Sequence, residues 1–163
     1  MTGFYETCAM CGPRNIKSED IATLLIRLDR ELGLLASQNV SCFRAVPSPG
    51  FNFYAALSVL NLKRNFPELE LEVLVGNFNN NLSREDIEVR DFIISHADIV
   101  KEVRVAVREI AADALSSALT KDSSYLLTFS ETDAGFCTHV REHAALGGQQ
   151  IIYTDRINTG VSV

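Results

Sequence analysis

Apolar and polar residues follow two periods that alternate along the chain. Short apolar or two-residue-periodic runs predict strands at residues 3–11, 40–46, 69–75, 99–106, 125–129 and 150–154. Between them, apolar residues recur every three or four positions, which predicts amphipathic helices. In the clearest helix Ser18 is the predicted N-cap, Leu24, Leu28 and Leu32 lie on one face, and the end falls near Asn39.

The alternation of six strands with five helices predicts an α/β fold. Consecutive parallel strands need crossover connections, which the helices supply. We therefore expect a single Rossmann-like domain over residues 1–163, a three-layer sandwich whose mainly parallel sheet has helices on both faces. Ser83 with Asp86 three residues later resembles a capping box, and it predicts the start of the helix that follows the third strand.

Charge and hydropathy exclude several classes of protein. The 163 residues carry 21 acidic and 15 basic side chains, a formal net charge of −6. The sequence pI of about 5.0 argues against a broad basic surface for nucleic acid. No apolar stretch approaches the roughly 20 residues that span a bilayer, and the first residues do not resemble a signal peptide. We expect a soluble cytoplasmic protein without a membrane partner.

The four cysteines allow several interpretations. Cys8 and Cys11 form a C-x-x-C motif, which could be a thioredoxin-like redox pair. Folding could also add further thiols and imidazoles to make a zinc site, from Cys42, Cys137, His139 and His143. Buried free cysteines are the favoured interpretation, because Cys8 and Cys42 lie in apolar segments. We therefore predict neither a resident metal nor a cofactor.

Candidate ligand-binding residues lie in the loops that follow the strands. In open α/β sheets ligands bind outside the carboxyl ends of the strands, where helix N-termini also favour anions. The candidates are the polar and glycine residues of these loops: Gly12, Arg14, Asn15, Ser48, Gly50, Asn52, Asn77, Ser130, Gly135 and Thr138. Arg14 follows the first strand, normally central in such sheets, and could bind a phosphate bidentately. Each residue taken alone could equally cap a helix or form a turn.

Catalytic chemistry has weaker support. Glu131 and Asp133 precede the turn at Gly135, where a carboxylate could act as a nucleophile or base, or could simply favour the helix dipole. The P-loop, G-x-G-x-x-G and G-x-S-x-G motifs are absent, which argues against a P-loop kinase, an ordinary NAD dehydrogenase and a nucleophile-elbow hydrolase. His139 and His143 share a helix face without an H-E-x-x-H pattern.

Two longer segments carry a family resemblance. Pro-Gly-Phe-Asn-Phe-Tyr-Ala-Ala at 49–56 and Leu-Lys-Arg-Asn-Phe-Pro-Glu-Leu-Glu-Leu-Glu-Val at 62–73 resemble the YpsA-like branch of the SLOG superfamily, which also holds DprA-like and LOG-like domains. The family's turn after the first strand matches residues 11–14, and its Gly-Phe-Asp-like helix start matches 50–52. Its phosphate loop near the fifth strand corresponds to residues 134–138.

The resemblance implies a Rossmann-like fold and a pocket for a nucleotide-like ligand, without implying turnover. The family's histidine in the first turn, its acidic residue after Gly-Phe and its paired glycines are replaced here. We therefore expect a binding module that senses or sequesters a nucleotide or a nucleotide-derived small molecule. The alternatives are a phosphoribohydrolase-like enzyme that cleaves an N-glycosidic bond, and an interaction protein with a vestigial pocket. A homodimer or higher homo-oligomer is the default assembly.

Overall fold

The computed structural model describes residues 5–76, 81–104 and 111–156. Within these ranges strands and helices alternate, as the periodicity predicts. In chain order they are β1 (Glu6–Met10), α1 (Ser18–Ala36), β2 (Val40–Ala45), α2 (Phe51–Leu62), β3 (Glu70–Val75), α3 (Arg84–His96), β4 (Ile99–Glu102), α4 (Ala111–Thr120), β5 (Tyr125–Thr128), α5 (Phe136–Leu146) and β6 (Gln150–Tyr153). The predicted end of the fourth strand, 105–106, and the predicted helix start, 107–110, lie outside the described residues.

The strands of the described chain form one sheet in the order β4-β3-β2-β1-β5-β6, and every neighbouring pair is parallel. The α/β class is confirmed. β1 is central, with Cys8 opposite Phe43 of β2 and Tyr125 of β5. The chain runs outward from β1 to β4 on one side and then continues with β5 on the other. The topological switch point, where such sheets bind ligands, therefore lies at the carboxyl ends of β1 and β5.

Helices cover both faces of the sheet, each over its own apolar core. Cys8 and Met10 of β1 pack in the core that includes residues of α1, α2 and α3, such as Leu28 and Phe53. Ala9, between them, packs in the core that includes residues of α4 and α5. Side chains alternate between faces because a strand has a period of two. The predicted three-layer sandwich is confirmed.

The sequence predicts N-cap residues for two helices, and the structure confirms one of them. Ser83 is the N-cap of α3, and its hydroxyl accepts the Asp86 backbone N–H at 3.1 Å, as predicted. The N-cap prediction for α1 is wrong by one residue. Ser18 is already the first helical residue, and the N-cap is Lys17, whose carbonyl oxygen accepts the Asp20 N–H at 2.8 Å. Across the described ranges no helix combines the length and apolar character needed to cross a bilayer.

The buried Arg44 joins two strands of the sheet to α4. Arg44 Nε of β2 lies 2.9 Å from Glu72 Oε2 of the neighbouring β3. The Arg44 guanidinium also donates to the carbonyl oxygens of Leu119 at 2.9 Å and Lys121 at 2.7 Å. These acceptors lie at the carboxyl end of α4, where carbonyl groups lack intrahelical partners. Arg44 therefore fixes the far end of the helix whose start borders the candidate site.

Candidate functional site

Two loops at the switch point are packed against each other at glycine positions. Gly50 has φ of +88°, and a Cβ there would lie 2.1 Å from the carbonyl oxygen of Arg14. A Cβ on Gly12 would lie 2.3 Å from the ring of Phe51. The Phe51 N–H donates to the Pro13 carbonyl oxygen at 3.0 Å. The turn after β1 and the start of α2 therefore form one unit that excludes larger side chains at both glycines.

A chain of hydrogen bonds orients the polar side chains of this unit. The Gly12 N–H donates to Asn52 Oδ1 at 3.0 Å, and Asn52 Nδ2 donates to Ser48 Oγ at 2.9 Å. Asn52 is buried. Because the Ser48 oxygen accepts this bond, its hydroxyl proton is left to donate elsewhere. The first turn of α2 thus holds a rigid hydroxyl donor beside the turn after β1.

A cavity of about 530 Å³ opens next to this unit. Its walls come from four segments, within residues 12–15, 46–52, 112–115 and 134–137. These are the turn after β1, the loop between β2 and α2, the first part of α4 and the start of α5. The cavity therefore lies at the carboxyl edge of the sheet beside the switch point, and its volume falls in the range of small-molecule sites.

The cavity wall is polar and cationic at one side. Arg14 is the single charged side chain among the described residues that line it, and its guanidinium donates to the Asn81 carbonyl oxygen at 2.8 Å. Gly135, with φ of +69°, is the N-cap of α5, so Phe136 and Cys137 begin that helix at the wall. Their N–H groups have no acceptor within the helix, and the helix dipole is positive there. The cavity is therefore suited to an anion.

The two candidate catalytic acids lie outside the cavity lining. Glu131 is exposed and pairs with Arg156 at 3.4 Å. Asp133 Oδ2 accepts the Ser130 backbone N–H at 3.0 Å. Burial raises the Asp133 pKa, and the hydrogen bond from Ser130 opposes that rise only in part. Asp133 is therefore engaged within the loop between β5 and α5, and Glu131 is engaged with a residue beyond β6.

Nine of the ten predicted ligand-binding residues fall into three groups. Five line the cavity: Gly12, Arg14, Asn15, Ser48 and Asn52. Gly50 and Gly135 shape its borders through their positive φ angles. Ser130 and Thr138 stabilise the loop before α5, where Ser130 Oγ accepts the Thr132 N–H and the Thr138 hydroxyl donates to the Asp133 carbonyl oxygen. Asn77 lies outside the described residues.

Sequence reasoning missed the apolar wall and one thiol. Val46, Leu115 and Phe136 line the cavity together with Cys137. Three of these residues could have been found from their positions in the sequence. Val46 directly follows β2, and Phe136 and Cys137 directly follow the turn at Gly135. Leu115 belongs to α4, and no local motif indicates that its side chain borders the cavity.

The cysteines divide between the two faces of the sheet. Cys8 and Cys11 are three residues apart along extended chain, so they pack in opposite cores. Cys11 instead interacts with Cys137. No group of three or more metal-ligating side chains suited to an ion occurs within the described ranges. His139 and His143 do share a helix face, and both approach Asp113 Oδ1, at 3.7 and 3.8 Å.

The fold and the cavity together define a Rossmann-like α/β protein with a ligand-sized, anion-suited site at the switch point of its sheet. Comparisons of the chain with models of known protein families and with curated proteins find no match. The resemblance of residues 49–56 and 62–73 to SLOG domains thus stays a prediction.

Proposed function

We propose that the chain is a SLOG-like binding module that senses or sequesters a nucleotide or a nucleotide-derived small molecule in this cavity. One observation carries the proposal. Among its described lining residues the cavity has a single cation, Arg14, the first turn of α5 and no carboxylate. A phosphate is the anion that such a combination binds well, because a guanidinium and helix N–H groups both donate to its oxygens.

The apolar wall supports a ligand with an uncharged, flat part. Val46 and Leu115 are buried, and with Phe136 they form an apolar surface in the same cavity as Arg14. A nucleobase would pack on this surface, while Ser48 and Asn15 offer hydrogen bonds to a sugar. Small-molecule sites commonly combine apolar walls with a few placed polar groups.

The same geometry favours binding over glycosidic cleavage. Cleavage of an N-glycosidic bond by the alternative mechanism needs Glu131 or Asp133 at the ligand. Asp133 is instead held by Ser130 within the loop before α5, Glu131 pairs with Arg156 beyond β6, and neither acid lines the cavity. We accordingly propose that a bound ligand is released unchanged, and that the protein acts as a homodimer or higher homo-oligomer, which light scattering of the purified chain measures.

Thermal unfolding with a panel of nucleotides, cyclic nucleotides and ADP-ribose derivatives tests the proposal. A ligand at about 100 times its dissociation constant adds roughly 2.7 kcal/mol to the unfolding free energy, which raises the Tm by roughly 5–10 °C in a domain of this size. Chromatography of each stabilising ligand after incubation then shows whether it is intact. Product formation would favour the enzyme, and no shift with any compound would favour a vestigial pocket.

A pair of charge-matched variants locates the binding site. Arg14→Gln removes the cation of the cavity, and loss of one charge-assisted hydrogen bond predicts affinity weaker by about 10–100-fold. Arg64→Gln makes the same change in charge at an exposed residue just beyond the carboxyl end of α2, at the opposite edge of the sheet. We expect the Arg64 variant to bind like the parent protein. Equal losses in both variants would place the ligand elsewhere.

A further inference from the structure

Two thiols from distant parts of the sequence meet at the cavity. Cys11 directly follows β1 and is 1% exposed, and Cys137 is the second residue of α5 and is 5% exposed. Both pack in the core between the sheet and the α4–α5 layer, where the two thiols interact. Cys137 also lines the cavity. A small molecule in the cavity therefore reaches the sulfur of Cys137 first, with Cys11 behind it.

The surroundings of the two sulfurs are unequal. The interaction with Cys11 lowers the pKa of the Cys137 thiol below its ordinary value. The Cys137 backbone N–H and the Arg141 guanidinium act in the same direction, against burial and the nearby Asp133 carboxylate. The same interaction, together with burial, raises the Cys11 pKa. The first turn of α5 adds the positive end of a helix dipole. The position of Cys137 at the cavity wall and the lowered pKa of its thiol both favour Cys137 over Cys11 as the nucleophile.

The other two cysteines lack these features. Cys8 packs on the opposite face of the sheet with no exposed surface, and burial raises its pKa. Cys42 has a pKa raised to about 11, first by burial and then by the nearby Glu72 carboxylate. A thiolate is the reactive form of cysteine. Cys8, which is buried, and Cys42, which is partly exposed, therefore serve as internal references for thiols with a raised pKa.

We propose that Cys11 and Cys137 are a redox-active dithiol that exchanges with low-molecular-weight disulfides entering the cavity. The Cys137 thiolate attacks one sulfur of the small disulfide, whose S–S bond breaks, and a mixed disulfide forms. The released thiolate takes the proton of Cys11. The Cys11 sulfur then attacks Cys137 Sγ and displaces the second small thiolate, which takes a proton from water. Two protein thiols are oxidised, and one small disulfide is reduced to two thiols.

Oxidised glutathione is the probe for the test. After incubation with the full chain, the intact mass is expected to fall by two hydrogen atoms, and peptide mapping to find a bond between Cys11 and Cys137. Cys11→Ser is expected to stop at a mixed disulfide on Cys137, and Cys137→Ser to form no adduct. Cys42→Ser is the matched control and should behave as the parent chain. A bond through Cys8 or Cys42, or no adduct in a folded Cys11→Ser chain, would overturn the proposal.

Alkylation of the unchanged protein keeps the proposal testable if a variant fails to fold. Iodoacetamide should label Cys137 at least tenfold faster than Cys42, with a rate midpoint below the pH of about 8.5 that is usual for a free thiol. Equal rates at the two cysteines would refute the assignment of Cys137 as the nucleophile. Neither assay uses a nucleotide, so failure of the dithiol and failure of the proposed ligand site are distinguishable.

Discussion

The packing of the two glycine-containing loops predicts a graded response to glycine-to-alanine substitution. Gly50 and Gly135 have nearly the same backbone conformation, with φ and ψ of +88° and −137° and of +69° and −135°. They differ in their surroundings. A Cβ on Gly50 would lie 2.1 Å from the Arg14 carbonyl oxygen, whereas a Cβ on Gly135 would meet nothing within 4 Å. Comparing the two separates backbone strain from the clash between the loops.

The expected losses of unfolding free energy follow from these distances. Gly135→Ala forces an L-residue into a positive-φ region, which costs about 1–2 kcal/mol. Gly50→Ala has the same strain, and displacement of the Arg14 backbone adds about 1–3 kcal/mol, for a sum of roughly 2–5 kcal/mol. Gly33→Ala in α1, where nothing lies within 4 Å, is the control. It is expected to stabilise the chain by up to about 1 kcal/mol, since alanine is the better helix former.

Urea unfolding and thermal unfolding of the three variants measure this order. Gly50→Ala should lower the Tm by roughly 4–20 °C, given about 2–4 °C for each kcal/mol in a domain of this length. If Gly50→Ala and Gly135→Ala lost the same unfolding free energy, the close approach of Gly50 to Arg14 would contribute nothing, and the argument for one rigid unit at the cavity would be refuted.

Three further predictions concern contacts away from the cavity. Ser83→Ala removes the N-cap of α3 and should cost about 1 kcal/mol in urea unfolding, and an unchanged midpoint would contradict the capping bond. Arg44→Ala leaves the buried Glu72 without its nearest cation and should cost about 3–5 kcal/mol, well above the Ser83 effect. Burial disfavours the Asp98 carboxylate, but hydrogen bonds from Lys63 and the Leu71 N–H outweigh it and lower its pKa. The stabilisation by Asp98 is therefore present above the ordinary aspartate pKa and is lost as the pH falls through the lowered value. Asp98→Asn should flatten the acid side of the profile of unfolding free energy against pH. An unflattened profile would refute this prediction.

The fold could be predicted from sequence because each element has its own period and its own boundary. β3 becomes continuously apolar toward Val75 as it enters the sheet, and α1 repeats leucines every three or four residues. The strand order could not be predicted beyond a central β1. Whether the chain turns back at β5 depends on packing between distant helices, and no residue near Tyr125 encodes it.

The sequence predicts which loops form the candidate site better than it predicts which side chains line the cavity. Arg14, Ser48 and Asn52 follow β1 and β2 directly, so the rule for parallel sheets selects them. Ser130 and Thr138 satisfy the same rule, yet their hydroxyls are hydrogen-bonded to residues of the loop before α5. Whether these hydroxyls bond within the protein or remain available to a ligand depends on the turn geometry around Asp133. A linear pattern of polar residues does not specify that geometry.

The pairing of Cys11 with Cys137 shows how sheet geometry outweighs motif spacing. A C-x-x-C motif brings two sulfurs together when it lies in a turn or at the start of a helix, but along a strand its odd spacing sends them to opposite faces. Cys11 therefore packs on the α4–α5 side of the sheet and interacts there with Cys137, because the start of α5 lies at the carboxyl edge next to β1. The same helix start that favours a bound anion also favours the thiolate on Cys137. Under the two proposals, a ligand phosphate and the Cys137 thiolate would compete for this positive region of the cavity. Bound phosphate would then raise the pKa of Cys137, and the thiolate would weaken phosphate binding.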